Sequence, residues 1–412
     1  MESETPPTTL GPPDMKQTDF SAPAHWLNRT TLGVGLTSLL SDWSHEMATA
    51  ILPAFLTSLG AGPGWLGIIE GISDGLSSVS KLAAGHFTDS LRRRKPAVLA
   101  GYALTTIGTG ALALASRAPH VLFARAAAWL GRGARTPGRK ALLAAAVPPT
   151  AYGRAFGFER MLDTLGAMIA PATALWLLAR TSHNYSRVFL WTLLPGLLAM
   201  ACLSLLVRES PSHTPSERSF LGGLRELPRS FRRFLLAVGV FGLGDFSHTL
   251  LILYATQKLS PERGRAAATS IAVGLYLLHN FFYAASAYLG GWLSDHVRHR
   301  RMVLVVGYVL AAVMAGLLVT GVHTVLWLAM VFSLGGIFVG VQEALEDSLA
   351  AELVPAAQHG MAFGTLAAVN AIGDFASSVA IGLLWTSVSP SGAFAVGGIL
   401  FLAGAILLRR LG

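Results

Sequence analysis

The chain has 412 residues, of which 52% are hydrophobic and only 13% are charged. Because a soluble domain carries about 25% charged residues, this composition excludes an ordinary soluble protein and indicates a chain that crosses a membrane many times. The net charge of +9 does not indicate a nucleic-acid partner, since the basic residues cluster in short loops between apolar segments.

Twelve apolar segments are predicted, and each is long enough to cross roughly 30 Å of hydrocarbon. Residues 1–30, before them, begin with a stretch rich in Pro and Thr, lack an apolar signal-peptide core, and are predicted to be a disordered cytoplasmic tail. The polar stretch 208–230 predicts a cytoplasmic linker between two six-helix bundles, 31–207 and 231–412. The predicted segments are about 31–59, 64–88, 96–115, 120–147, 154–181, 187–207, 231–257, 265–293, 301–321, 324–353, 358–386 and 390–410.

The basic loops predict how the chain is oriented. One basic cluster follows the second segment, from Arg92 to Lys95, and another follows the eighth, from Arg298 to Arg301. Both lie on one side of the membrane if the two termini are cytoplasmic, which is the side where basic loops are enriched. We therefore expect a multi-pass monomer of the cell inner (plasma) membrane, whose partners are membrane lipid, protons and a small cation or other small-molecule substrate.

The two halves of the chain repeat each other. The pattern at 85–89, with the basic residues after it, recurs at 291–295, an offset of 206 residues. The pattern at 153–157 recurs at 360–364, an offset of 207 residues. Separate matches at nearly one offset indicate an internal repeat.

The motif Gly85-x-x-x-Asp89 with its basic cluster, found again at Gly291-x-x-x-Asp295, resembles the signature loop of the major facilitator superfamily. The resemblance covers essentially the whole chain. It implies an all-α membrane protein with twelve transmembrane helices in two pseudo-symmetric six-helix bundles, and secondary transport. The loop aspartates are expected to accept hydrogen bonds from basic residues and a helix N-terminus. The predicted gating residues are Asp89, Arg92, Arg93, Asp295 and Arg298.

Segment five bears on the direction of transport. Gly157, Gly166, Ala170-Pro171 and Ala174 resemble the antiporter signature of drug exporters in the superfamily, with Ala at two positions where that signature has Gly. The resemblance implies export in exchange for another ion. Generic helix packing through small residues is the alternative interpretation.

Two apolar segments contain one polar tetrapeptide, DWSH at 42–45 and DFSH at 245–248. A carboxylate and an imidazole in hydrocarbon are costly unless a cation, a proton or a partner compensates them. In segment one an acid, a His and a second acid stand at i, i+3 and i+4 and share a helical face. Because segments one and seven line the central cavity in the superfamily, Asp42 and Asp245 are expected to face each other near mid-membrane.

The first hypothesis for these residues is a metal site. Imidazoles with carboxylates suit Ni²⁺, Co²⁺, Fe²⁺ or Zn²⁺, and Cys202, the single cysteine, leaves no thiolate pair for Cu(I). Three short motifs, Asp42-x-x-His45-Glu46 in segment one, DGLSSVSK at 74–81 in segment two and GRGARTPGR at 131–139 in segment four, also resemble the nickel-resistance branch of superfamily exporters, which implies metal export. The predicted cation-binding and metal residues are Asp42, His45, Glu46, Asp245 and His248.

The second hypothesis uses the same side chains as a proton relay, because His titrates near neutral pH. The protein would then be a proton-coupled exporter of a drug or metabolite, with Trp43 and Phe246 as an aromatic wall. A purely structural polar network and a membrane sensor that does not transport are the remaining alternatives.

Further polar residues lie inside the apolar segments. An acid-base-acid cluster at 159–163 is expected to form a network with Arg135 and Arg139, and the acids at 343–347 are expected to latch onto basic loops. With no Walker-type phosphate loop and no hydrolase or zinc-protease motif, the chain indicates neither an enzyme nor a cofactor, and an ion gradient should supply the energy. The predicted proton-coupling or cavity residues are Asp74, Asp163, Asp374, His279 and Asn280.

Overall fold

The computed structural model describes residues 25–61, 63–209, 220–322 and 324–410. Within these residues the chain forms fifteen α-helices and no β-strand, so the all-α prediction is confirmed. Most of the predicted tail lies outside the described residues.

We use "N-half" for helices α1 to α7 and "C-half" for helices α9 to α15. The N-half comprises α1 (Arg29–Ser58), α2 (Pro63–Ser90), α3 (Lys95–Ala111), α4 (Ala118–Ala145), α5 (Tyr152–Arg180), α6 (Tyr185–Trp191) and α7 (Leu193–Leu206). A short helix α8 (Phe220–Glu226) lies in the predicted linker. The C-half comprises α9 (Arg229–Gly242), α10 (His248–Arg263), α11 (Arg265–His296), α12 (Arg300–Val319), α13 (Val325–Leu353), α14 (His359–Ser387) and α15 (Pro390–Arg409).

The twelve predicted spans are present in the described chain, ten as single helices and two as helix pairs. Eight helical stretches are long and apolar enough to cross a membrane by length and composition alone. The other spans are α1, α2, α4 and the α9–α10 pair, and α4 carries several basic residues. Its basic residues are Arg125, Arg132, Arg135, Arg139 and Lys140.

The seventh span is not the continuous helix that the sequence predicts for 231–257. It is interrupted at 243–247, a stretch that includes the first three residues of the repeated tetrapeptide. Gly242 is the last residue of α9 and Gly244 lies in the break, and Gly is a poor helix former that adopts turns readily. The Oγ of Ser377 on α14 donates a 2.6 Å hydrogen bond to the freed carbonyl of Asp245. A neighbouring helix thus satisfies the interrupted backbone, as a membrane interior requires.

The most extensive packing between the halves is between α2 and α14 and between α5 and α11. These helix pairs approach closely at the face that carries the loops 91–94 and 297–299, which we call the basic-loop face. A Cβ added to Gly85 would lie 2.5 Å from the carbonyl oxygen of Gly360, and Gly153 contacts Gly291 in the same way. Toward the opposite face the pairs diverge, because a Cβ would meet nothing within 4 Å at Gly71, Gly75, Gly274 or Gly382. The halves are therefore in close contact at the basic-loop face, and these glycines nearer the opposite face, which we call the open face, make no such contact.

Candidate functional site

A polar cavity of about 180 Å³ lies between the halves. Its walls come from α1, α2, α4 and α5 of the N-half and from α13 and α14 of the C-half. Helices from both repeats therefore contribute side chains to one central chamber.

The N-half wall of this cavity is basic. Most of its cations come from α4, where residues three to four positions apart share one helical face. The sequence singled out acids and histidines as site residues, whereas the structure adds this basic face. The N-half cations that line the cavity are Lys81, Arg132, Arg135, Arg139, Lys140 and Arg160.

The carboxylates of the N-half are paired with guanidinium groups. Arg132 lies 3.1 Å from Asp42, and Arg139 lies 2.9 Å from Glu159 and 3.6 Å from Asp163. These atoms are largely buried, so the ion pairs offset the cost of removing the charges from water. The expected network of 159–163 with Arg139 is present.

His45 lies beside this network without joining it. Its side chain is fully buried, and its ring packs 4.5 Å from the ring of Trp129. The guanidinium groups of Arg125 and Arg132 each lie 4.9 Å from the same indole. Two cations already surround this position, so a bound metal cation there would be repelled.

The C-half wall is acidic, and within the described residues no Lys or Arg of the C-half lines the cavity. Glu346 is 1% exposed and accepts hydrogen bonds from Tyr308 at 2.7 Å and Asn370 at 2.8 Å. Both donors are neutral, so nothing in direct contact balances a negative charge there. The C-half acids that line the cavity are Glu343, Glu346, Asp347 and Asp374.

Two ion pairs connect the opposite walls. Lys140 lies 2.6 Å from Asp347, and Arg160 lies 2.8 Å from Glu343, which also accepts a hydrogen bond from Tyr283. Lys140 and Asp347 stand in the last two turns of α4 and α13, near the basic-loop face. The prediction that the acids at 343–347 latch onto basic loops is therefore wrong for these two acids, because their partners lie on membrane helices.

Two further cavity residues make no such pair. Within the described residues, no ion-pair partner lies within 4.0 Å of Lys81 or of Asp374, although both line the chamber. Lys81 lies on α2 in the N-half wall, and Asp374 lies on α14 in the C-half wall. An ammonium group and a carboxylate thus stand on opposite walls without direct contact.

The five predicted metal ligands are not brought together. Asp42 and Glu46 both contact Arg132, at 3.1 and 3.6 Å, and only Asp42 of the five lines the cavity. Asp245 accepts a hydrogen bond from Gln342 at 3.3 Å, and the exposed His248 stacks 5.5 Å from Tyr276. In the described part of the chain, no group of three His, Cys, Asp or Glu side chains is placed to hold a metal ion.

Of the five predicted proton-coupling or cavity residues, only two line the central cavity. Asp163 and Asp374 line the cavity, whereas Asp74 is exposed on α2 outside its lining. His279 is buried, with its Nδ1 3.2 Å from the carbonyl oxygen of Phe332, and Asn280 hydrogen-bonds to Tyr276. His279 therefore contacts the neighbouring helix α13, whereas the partner of Asn280 lies on its own helix, α11.

The predicted aromatic wall does not form in the central cavity. Trp43 donates a 3.2 Å hydrogen bond to Thr173 and faces a separate apolar cavity of about 550 Å³ between α1, α5 and α7. Phe246 is buried against Phe394, with ring centroids 5.0 Å apart.

The loop aspartates join the halves at the basic-loop face. Asp89 accepts hydrogen bonds from the backbone N–H groups of Gly360 and Met361, at 2.8 and 2.7 Å, at the start of α14. Asp295 accepts from Gly153 and Arg154, at 3.0 and 2.9 Å, at the start of α5. A carboxylate at a helix N-terminus interacts favourably with the helix dipole.

The arginines that contact these two aspartates are not the gating arginines predicted from the sequence. The guanidinium of Arg94 contacts Asp89, and that of Arg300, the first residue of α12, contacts Asp295, both at 3.2 Å. Arg92, Arg93 and Arg298, which the sequence singled out, are exposed.

Comparisons with known proteins agree with this architecture. The family model described as Major Facilitator Superfamily matches residues 34–260 and 234–411. Over 385 residues the chain is 28% identical to an uncharacterized MFS-type transporter of Methanocaldococcus jannaschii, covering 93% of this chain and 94% of that protein.

Two solved structures share the fold. The human organic anion transporter MFSD10 (TETRAN) is 17% identical, with 92% of this chain and 99% of that chain covered and a TM-score of 0.74. A bacterial homologue of the iron transporter ferroportin, in an outward-facing state, is 15% identical, with 93% and 99% covered and a TM-score of 0.73. At these identities the likeness shows the fold alone. The matched family model, which covers most of the chain, shows that this membrane-spanning protein belongs to the Major Facilitator Superfamily of transporters.

Proposed function

We propose that the protein is a proton-coupled secondary transporter of a small polar organic solute, a metabolite or drug, and that it works by alternating access. The observation that carries the proposal is Glu346, a buried carboxyl group on the wall of the central cavity whose contacts are neutral donors. Such a group can take up and release a proton at little cost to its surroundings, because no ion pair has to break.

Metal export ranks below this proposal. Asp42 and Glu46 share Arg132, and His45 is packed against an indole that two guanidinium groups flank. A divalent cation would have to displace these cations before it reached its ligands. The cavity instead offers separate positive and negative groups, which suit a polar organic solute.

The remaining parts of the proposal follow the sequence. The bundles 31–207 and 231–412 rock as units about the linker 208–230, in the inner membrane, with both termini cytoplasmic. The loops of Asp89 and Asp295 gate the cytoplasmic face. The protein acts as a monomer, and the segment-five resemblance favours export by antiport with protons.

The proposal is tested in proteoliposomes that contain a pH-sensitive dye. Amino acids, carboxylates, amines, sugars and the chlorides of Ni²⁺, Co²⁺ and Zn²⁺ are added in turn, and proton movement is recorded. We expect an organic solute to drive proton movement in the wild type and Glu346→Gln to abolish it.

The matched control is Glu352→Gln, a change of the same type on α13. Glu352 is exposed and pairs with Arg300 outside the cavity, so its loss should leave proton movement unchanged. Proton movement driven by metal ions alone, or retained in full by Glu346→Gln, would refute the proposed coupling.

A further inference from the structure

The cavity is polarised across the interface between the halves. Each cross-wall ion pair has its base on the N-half and its acid on the C-half, as in Lys140–Asp347 and Arg160–Glu343. Lys81 and Asp374 follow the same sense, with the base on α2 and the acid on α14, but they are not in contact. Two base–acid pairs of this polarity are in direct contact. In the third, Lys81 and Asp374, the charged groups are separated within the chamber, and we call it the open pair.

We propose that the solute is a small zwitterion, whose anionic group binds Lys81 and whose cationic group binds Asp374. This inference rests on the proposed function and specifies its substrate class. A zwitterion completes the open pair by standing between its members, with each end facing an opposite charge. Charge-assisted hydrogen bonds to both ends are stronger than contacts to neutral groups.

Solutes of other charge types fit the space between Lys81 and Asp374 less well. A monoanion satisfies Lys81 and leaves Asp374 without a partner, and it approaches an acidic wall that repels it. A cation satisfies Asp374 and meets the basic N-half wall. A neutral solute leaves both charges unpaired in a partly buried site, which is costly.

Both groups are accessible to a solute. Asp374 is exposed and Lys81 is half-buried, and the nearby stretch of α2 toward the open face includes Gly71 and Gly75, where a Cβ would meet nothing within 4 Å. Asp374 lies fifteen residues from the start of α14 at the basic-loop face, so a zwitterion that enters from the open face meets this acid before the Lys140–Asp347 pair. Binding at both ends would draw α2 and α14 together on the open side, which is the movement that alternating access needs.

The test uses solutes matched in length. The thermal stability of the purified wild-type protein is measured with ω-amino acids from glycine to 6-aminohexanoate and with the common α-amino acids. Each zwitterion is compared with the carboxylate that lacks its amine and the amine that lacks its carboxylate. We expect stabilisation by at least one zwitterion, with at least about tenfold weaker binding of both counterparts.

Two variants separate the ends of the solute. Lys81→Met should weaken binding of the zwitterion and of the carboxylate, whereas Asp374→Asn should weaken binding of the zwitterion and of the amine but not of the carboxylate. Asp374→Asn should thereby abolish the preference for the zwitterion over the carboxylate. Lys81→Arg and Asp374→Glu keep the charges and should preserve the preference, and Glu352→Gln controls for the loss of an acid outside the cavity.

Several outcomes would overturn the inference. They are stabilisation by no zwitterion of the panel, equal binding of a singly charged counterpart, and an unchanged preference in Asp374→Asn. Failure here differs from failure of the proposed function. If a singly charged organic solute drives proton movement, the proton-coupled transporter stands and the zwitterion falls, whereas zwitterion binding without proton movement in the wild type refutes the coupling alone.

Discussion

The two walls of the cavity treat their carboxylates in opposite ways. In the N-half, Asp42 and Asp163 each lie within 4 Å of a guanidinium group. In the C-half, Glu346 has neutral donors, and no base of the described chain lies within ion-pair distance of Asp374. Since the halves repeat one sequence pattern, the fold alone does not dictate this difference. The N-half cations pair with their own acids and also with Glu343 and Asp347 of the C-half, which leaves Glu346 and Asp374 as the C-half cavity acids with no cation in contact among the described residues.

The largest expected effect is a difference in stability between two single variants, one on each wall of the cavity. Arg139 is 5% exposed and pairs with Glu159, which is 1% exposed. Arg139→Met leaves a buried carboxylate without its cation and should lower the free energy of unfolding by about 3–5 kcal/mol. Glu346→Gln breaks no ion pair and should cost about 1 kcal/mol or less. Both values are measured by denaturant titration in detergent micelles.

The double variant Arg139→Met with Glu159→Gln is the control for this comparison. It removes both charges together and should recover most of the loss, because no unpaired buried charge remains. An equal loss of stability in Glu346→Gln and Arg139→Met would contradict the difference between the walls.

A smaller effect is expected at the two histidines of the repeated tetrapeptide. His45 is fully buried against Trp129, so His45→Ala creates a cavity and should lower the free energy of unfolding by about 2–3 kcal/mol. His248 is exposed, and His248→Ala should change it by about 0.5 kcal/mol at most. The same titration measures both. Equal losses would mean that the two copies of the tetrapeptide have equivalent environments after all.

Much of the fold is predictable because its signals are local. Apolar runs predict the spans, and the glycine and aspartate of the signature loops predict a close approach and a helix-terminus contact. Asp89 and Asp295 lie against helix N-termini, as that motif leads one to expect. These contacts join distant residues, but each is signalled by a short motif that recurs in both halves of the chain.

The site is less predictable because its pairs depend on packing between distant segments. The tetrapeptides at 42–45 and 245–248 are nearly identical, yet only the second interrupts a helix, since Gly242 and Gly244 precede it. The basic residues of α4 recur three or four positions apart, which was a usable signal for a polar helix face. Their partners on α1 and α13 could not be read from that spacing.

The smallest expected effect concerns the two loop aspartates, which compare the halves at the basic-loop face. Asp295 contacts Arg154 of the N-half at 2.9 Å in addition to the helix N-terminus, so Asp295→Asn removes a direct ion pair between the halves. We expect the free energy that favours closure at the basic-loop face to fall by about 1 kcal/mol, which raises the population open at that face about fivefold. Asp89→Asn should act in the same direction through the N-terminus of α14.

The readout is the labelling rate of a cysteine introduced at Thr136, which lines the cavity, in a background where Cys202 is replaced by Ala. Reagent is applied from the basic-loop face, and each aspartate variant should be labelled several times faster than the background. Arg92→Gln, an exposed change in the same loop as Asp89, is the matched control and should leave the rate unchanged. If Asp295→Asn is labelled no faster than this control, the aspartate contacts do not hold the basic-loop face closed, and the cross-wall pairs of Lys140 and Arg160 must do so instead.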